Sequence, residues 1–222
     1  MLRLIPKPFQ KIKCEKLDLL LNKERLNQPI ALIKTCQRAL PTLQATKSSL
    51  KSIGFKEIEV FYDSEMKGSI WAFKEASKNI LSKYEGWLLL CEDDVIFSKS
   101  TYKILDKLEI SINQTISLFI TAEQDTLLKY WGWNKVVGDF HVSVAYYVHT
   151  DLLKKILNSK TLENWPQRDR FDKMWSLACQ EIDCDFIMPR PSLAQHIGET
   201  STINKFRVLD FRRVSFNFRP EL

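Results

Sequence analysis

Glycine and proline are scarce, 6 and 8 among 222 residues, which excludes a collagen-like, linker-rich or disordered chain. The 5 cysteines are odd in number and form no C-x-x-C pair, which argues against a disulfide framework and a zinc site, so reduced thiols are expected. No apolar run approaches the roughly 20 residues that a membrane-spanning helix needs. The longest, Gly86-Trp87-Leu88-Leu89-Leu90-Cys91, ends on three acids. The opening stretch from Met1 to Lys16 is basic, without the apolar core or small-residue cleavage site of a secretory signal, so a cytoplasmic location is expected. Neither G-x-G-x-x-G nor G-x-x-x-x-G-K-[ST] occurs, so both glycine-rich phosphate loops are missing.

What is present suits a compact chain of one domain: 45% apolar, 11% aromatic and 27% charged residues. The net charge of +6 is unevenly spread: residues 1–60 carry +7 (12 basic, 5 acidic), residues 61–200 carry −4 (16 basic, 20 acidic) and residues 201–222 carry +3 (5 basic, 2 acidic). Basic ends can attract nucleic acid or anionic lipid, whereas an acidic middle suits a cation-dependent site. The chain divides into a basic extension over residues 1–27, a body over 28–205 and a basic, aromatic tail over 206–222. In the extension, Leu17, Leu19, Leu20, Leu21 and Leu26 among lysines predict an amphipathic helix, able to pack on the body, pair subunits or touch the inner face of a membrane.

Along the body, Ile30-Ala31-Leu32-Ile33 reads as a strand buried on both faces, and Pro41 to Ile53 as a helix stopped by Gly54. Glu57 to Tyr62 alternates as a second strand running into Asp63, Ser69 to Tyr84 has helical spacing, and Trp87 to Leu90 is again a buried strand. This β–α–β–α–β alternation predicts an α/β fold with a central, mostly parallel sheet flanked by helices, its ligands bound beyond the carboxyl ends of the strands. Further on, the pattern predicts a helix from Ser98 to about Leu108, a strand over Ile116–Ile120 and an irregular, aromatic-covered loop over residues 121–140. A strand over Val142–Val148, a helix from Asp151 to Asn158 capped by Thr150 or Asp151, a helix capped by Asp169, and a last strand over Phe186–Met188 follow.

The first place to look for chemistry is just after Leu90, where Glu92, Asp93 and Asp94 stand in a row. Like charges so close repel unless a cation or a raised pKa relieves them. In an extended segment Glu92 and Asp94 face one side and Asp93 the other, so the first and third acids suit one divalent ion; the alternative is a solvated acidic turn. His196 lies in Pro189-Arg190-Pro191-Ser192-Leu193-Ala194-Gln195-His196-Ile197-Gly198, a segment stiffened by prolines. A neutral imidazole there suits a manganese-class ion, or else is a hydrogen-bonded structural histidine.

Three segments in this order resemble the nucleotide-sugar-dependent glycosyltransferases of the GT-A fold: Gly68-Ser69-Ile70-Trp71-Ala72-Phe73, Trp87 to Phe97 with Glu-Asp-Asp in the place of D-x-D, and Pro191-Ser192-Leu193-Ala194-Gln195-His196-Ile197-Gly198. The likeness spans about residues 28–205. It implies a single Rossmann-like domain that uses Mn²⁺ or Mg²⁺ and a UDP-sugar, with Asp94, His196 and Glu92 at the metal. Donor contacts would come from Thr35, Arg38 and Asp63 after the first two strands, from Gly68 and Trp71, and from Glu92 and Asp93. An inverting reaction would also need a base, for which Asp172 and then Asp169 are the candidates, although acids at a helix start also serve as caps. Trp131 and Trp133, with Tyr130, are equally an acceptor platform or plain cover.

The resemblance thus implies transfer of a hexose or N-acetylhexosamine to a glycan or lipid-linked acceptor, with no nucleic acid as partner. A nucleic-acid-binding or interaction protein using its basic ends, and a magnesium-dependent nucleotidyltransferase, are the alternatives.

Overall fold

The computed structural model describes residues 13–17, 28–37, 41–137, 144–198, 215 and 217–221. The expected alternation is there: strand β2 over Ile30–Cys36, helix α1 over Leu43–Ile53, β3 over Ile58–Asp63, α2 over Ser69–Leu81 and β4 over Trp87–Glu92. The glycine stop of α1 is physical. Gly54 has φ 118°, and its N–H returns to the carbonyls of Leu50 and Lys51.

The rest of the chain holds β5 (Val95–Phe97), α3 (Thr101–Lys107), β6 (Gln114–Ser117), α4 (Ala122–Leu127), β7 (Gly132–Val137) and β8 (Ala145–His149). It continues with α5 (Thr150–Leu157), α6 (Lys160–Glu163), α7 (Phe171–Glu181), β9 (Asp185–Arg190) and β10 (Ala194–His196). Eight strands form the central sheet in the order β1-β7-β9-β6-β8-β4-β2-β3, where β1 is Lys13–Leu17. The pairings β3–β2, β2–β4 and β6–β9 are parallel; those of β8 with β4 and β6, and of β7 with β9 and β1, are antiparallel.

Several expectations are corrected. Lys13–Leu17 is a strand, not part of a helix, because its backbone pairs with β7 from Lys13↔Val137 to Leu17↔Trp133; the other leucines of the extension lie outside the described residues, as do Phe206–Arg213 of the tail. The loop expected over residues 121–140 contains α4, started by a capping box between Thr121 and Gln124, and β7. The cap of α5 is neither Thr150 nor Asp151: His149 accepts from the Asp151 N–H at 3.3 Å.

The core lies between sheet and helices. Strand β4 is sealed from Leu88 to Cys91; α2 packs on β2 and β3, its Phe73 meets Phe171 and Trp175 of α7, and Trp175 stacks on Tyr146 of β8 at 4.6 Å. A buried stack of this kind adds about 1 kcal/mol beyond the area it removes from water. Among the described residues no helix is long and apolar enough to cross a membrane.

Candidate functional site

The acidic triplet stands where the chain leaves the sheet. Strand β4 ends at Glu92, Asp93 and Asp94 form a turn, and β5 then pairs antiparallel with β10 in a separate two-stranded sheet. Helix α1 fixes that turn: Thr46 Oγ1 accepts from the Val95 N–H at 3.0 Å and Ser49 Oγ from the Phe97 N–H at 2.9 Å. The register places His196 opposite Val95, and the Ile197 N–H donates to the Asp94 carbonyl at 2.8 Å.

Pairing of two three-residue strands therefore brings the two distant segments together. His196 Nε2 lies 3.1 Å from Asp94 Oδ2, with the side chains 2% and 0% exposed. Asp93 turns the other way and accepts from Thr35 Oγ1 at 2.5 Å, which ties the turn to the end of β2. Glu92 does not join the pair, because extended alternation stops at the turn. Among the described residues no group of three or more His, Cys, Asp and Glu side chains is placed to hold a metal.

The two side chains are in direct contact, and their separation is also one that two ligands of a single ion take. Two cis ligands at about 2.1 Å from one divalent cation stand about 3.0 Å apart, close to the distance found here. Gly198 keeps the adjoining space clear: a Cβ there would lie 2.9 Å from His196 Cε1 and nearer still to Asp94 Oδ2. Of the two ions expected, a carboxylate with an imidazole suits Mn²⁺ better than Mg²⁺, which prefers oxygen ligands alone.

A cavity of about 270 Å³ opens at the carboxyl ends of β2, β3 and β4, lined by Lys34, Thr35, Cys36, Asp63, Glu92, by Gly68 and Ser69 at the start of α2, and by Arg168 and Asp169 before α7. Asp63, 2% exposed, accepts from the N–H groups of Lys67 at 2.9 Å and Gly68 at 3.0 Å. Asp169 accepts from the Ser69 N–H at 3.2 Å, so it caps α2 and not its own helix; α7 begins after Arg170, which is left-handed at φ 71°. The Ile70 N–H meets the Arg168 carbonyl at 3.3 Å. Gly68, at φ 107°, allows this close approach: a Cβ would lie 2.7 Å from Arg168 Nε.

Five predicted residues are not in the cavity lining: Asp93, Asp94 and His196, placed above, and Trp71 and Asp172. Trp71 packs on Phe61 at 5.7 Å beneath the Lys67 ammonium, and Asp172, 21% exposed, has Oδ1 3.6 Å from Arg170 Nε. Arg38 lies outside the described residues. Of the aromatic group, Tyr130 and Trp131 are exposed and the Arg190 guanidinium lies 5.0 Å over the Trp131 ring, while Trp133 packs on the core.

Sequence reasoning missed Lys34. It is 6% exposed on the cavity wall, with Nζ 3.7 Å from the centre of the Phe171 ring. Burial lowers its pKa, opposed chiefly by the negative charge of Glu92, its register partner on β4. A lysine inside the apolar run Ile30–Cys36 was the available signal. Burial likewise pushes the Cys91 and Tyr146 side chains up, which keeps both protonated.

No protein-family profile and no curated protein matches the chain. Among solved structures it is similar to a glycosyltransferase involved in the glycosylation of the major capsid of PBCV-1, with TM-score 0.42 and 16% identity over 78% of this chain and 95% of that one. It is also similar to the inositol-1-phosphate CTP transferase from T. maritima, with TM-score 0.40 and 12% identity over 77% and 70%. The nucleoside-diphosphate-sugar pyrophosphorylase from Vibrio cholerae RC9 gives TM-score 0.39 and 10% identity over 76% of each chain. These likenesses assign no chemistry to this chain.

Proposed function

We propose that the protein is a metal-dependent glycosyltransferase moving a hexose or N-acetylhexosamine from a UDP-sugar to a saccharide or lipid-linked acceptor. The observation that carries this reading is the meeting of Asp94 with His196 at 3.1 Å, on the turn that follows Glu92, itself a wall residue of the strand-end cavity of about 270 Å³.

Asp94 and His196 would hold Mn²⁺ or Mg²⁺. When bound, the ion supplies positive charge for the leaving diphosphate. Thr35, Asp63 and Glu92 line the space for the nucleoside. Asp63 acts through structure, since both its oxygens hold the turn that starts α2. Of the two candidate bases, Asp169 lines the cavity and Asp172 does not, so in an inverting reaction we assign removal of the acceptor hydroxyl proton to Asp169. Exposed Tyr130 and Trp131 offer flat faces to an acceptor sugar.

The test is calorimetric titration of UDP with and without Mn²⁺ on the wild type, Asp94→Ala and His196→Ala. Binding that needs the ion and fails in both variants supports the reading, and UDP-sugars are then assayed for transfer. Failure of UDP, GDP and other nucleotides to bind with Mn²⁺ present overturns it. Turnover of a nucleoside triphosphate with a sugar phosphate, and none of a nucleotide sugar, would assign nucleotidyl transfer instead.

A further inference from the structure

A helix start is the ordinary place for a phosphate at a strand-end cavity, because its N–H groups are unpaired and the dipole is positive there. In this cavity that place is largely taken by the protein itself. Asp63 takes the N–H groups of Lys67 and Gly68, Asp169 takes that of Ser69, and the Arg168 carbonyl takes that of Ile70. Two carboxylates at the end of α2 also repel a further anion.

The opposite wall is different. Lys34 lies on β2 with 6% of its surface exposed, and an ammonium carries three donors and no acceptor. Among the described residues it has no hydrogen bond and no ion pair. Its close contact is the Phe171 ring at 3.7 Å, which favours the charge but accepts none of those donors in the ordinary sense. Thr35, next along the strand, is committed to Asp93. The negative charge of Glu92 on the same wall favours the ammonium, but donors that meet no acceptor among the described residues remain costly to bury unless a ligand completes them. The other cation of the lining, Arg168, is exposed at the rim.

We propose that Lys34 is the anion-binding group of this cavity, taking phosphate oxygens of the ligand from the β2 side, in place of the largely filled helix start. Lys34 is a binding residue here, and the ligand class is a diphosphate or a diphosphate-bearing molecule. The nucleoside part of the ligand rests on the function proposed above; the anion site rests on the cavity alone.

Wild type, Lys34→Met and Lys34→Gln are titrated with inorganic pyrophosphate in the presence of EDTA, and with UDP in the presence of Mn²⁺. Circular dichroism melts accompany each protein. Pyrophosphate should bind the wild type, and both ligands should weaken about tenfold or more in each variant, the effect of losing a charge-assisted hydrogen bond. Two variants of different polarity keep the test valid if one misfolds.

Equal pyrophosphate affinity in wild type and a folded variant overturns the proposal, as does no pyrophosphate binding to the wild type. UDP binding that needs Mn²⁺ but ignores Lys34 overturns it while leaving the glycosyltransferase reading intact. Lys34-dependent pyrophosphate binding with no preference for UDP does the reverse.

Discussion

Replacing Gly198 by alanine probes how closely Asp94 and His196 are fitted. The added carbon would lie 2.9 Å from His196 Cε1, 3.1 Å from Asp94 Cγ and nearer still to Oδ2. Gly198 is not among the glycines with positive φ, so the cost comes from contact alone. Ordinary contact begins near 3.4 Å, so the ring must withdraw by the difference from 2.9 Å, about 0.5 Å. Neither side chain has room, at 2% and 0% exposure. Forcing a methyl into a filled site of this kind costs about 2 kcal/mol. For a chain of this length that lowers Tm by about 4–8 °C. The assay is a thermal melt of wild type, Gly198→Ala, Asp94→Ala and the double variant. In the Asp94→Ala background the added methyl should cost less than about 0.5 kcal/mol, since the nearest atom, Asp94 Oδ2, is gone and the space it leaves lets the His196 ring withdraw. A Gly198→Ala protein melting within about 1 °C of wild type, or an undiminished cost in the double variant, would refute the packing argument.

Gly68→Ala should cost about 3 kcal/mol or more in urea unfolding, because φ 107° with ψ 166° is glycine territory and Arg168 Nε and its carbonyl oxygen would stand 2.7 and 2.9 Å from the new carbon. Gly132→Ala, at φ 90° with nothing within 4 Å, should cost only about 1–2 kcal/mol; equal losses would show that contact with Arg168 adds nothing. Glu181 accepts from the N–H groups of Lys160 and Thr161, both at 2.8 Å, and from the Thr161 hydroxyl at 2.6 Å, and these bonds hold its carboxyl below the ordinary 4.5. A folded pKa below the unfolded one stabilises above the unfolded value and is lost as pH falls through the folded one. Glu181→Gln should thus be less stable than wild type at pH 7, with the gap closing below about pH 4.5 in denaturant titrations; a gap that ignores pH would refute the cap.

Elements with a strong period and a clear stop were legible in the sequence. Helix α1 with its Gly54 and strand β4 with its sealed Leu88–Cys91 are of this kind, because local pattern and tertiary burial agree there. Strand β7 was not legible. Its Asn134 looks like a solvent-facing residue but is 0% exposed, satisfied by the carbonyls of Tyr130 at 2.9 Å and Gly132 at 3.2 Å. Strands β5 and β10 are three residues each, too short to show a period, and exist because α1 hydroxyls and their mutual pairing hold them.

The candidate site divides in the same way. The acids and the histidine stood out by residue type, yet the turn at Asp93 sends Glu92 to the cavity and Asp94 to His196, which strand alternation could not foresee. Asp169 reads as the cap of the helix that follows it, and only the tertiary fold shows it on α2. Lys34 hid inside an apolar run, where one charge passes for a strand end.

Strand β9 has a bearing on how the protein is made. In the sheet it lies between β7 and β6, although among the described strands only β10 follows it along the chain. Among the described strands, those made before Asp185–Arg190 fall into two groups, β1 with β7, and β6 with β8, β4, β2 and β3, and the edges that β9 joins are β7 and β6. One late segment closes both edges at once, so a nascent chain stalled before it is an aggregation hazard, and folding is slow relative to a protein built from neighbouring hairpins.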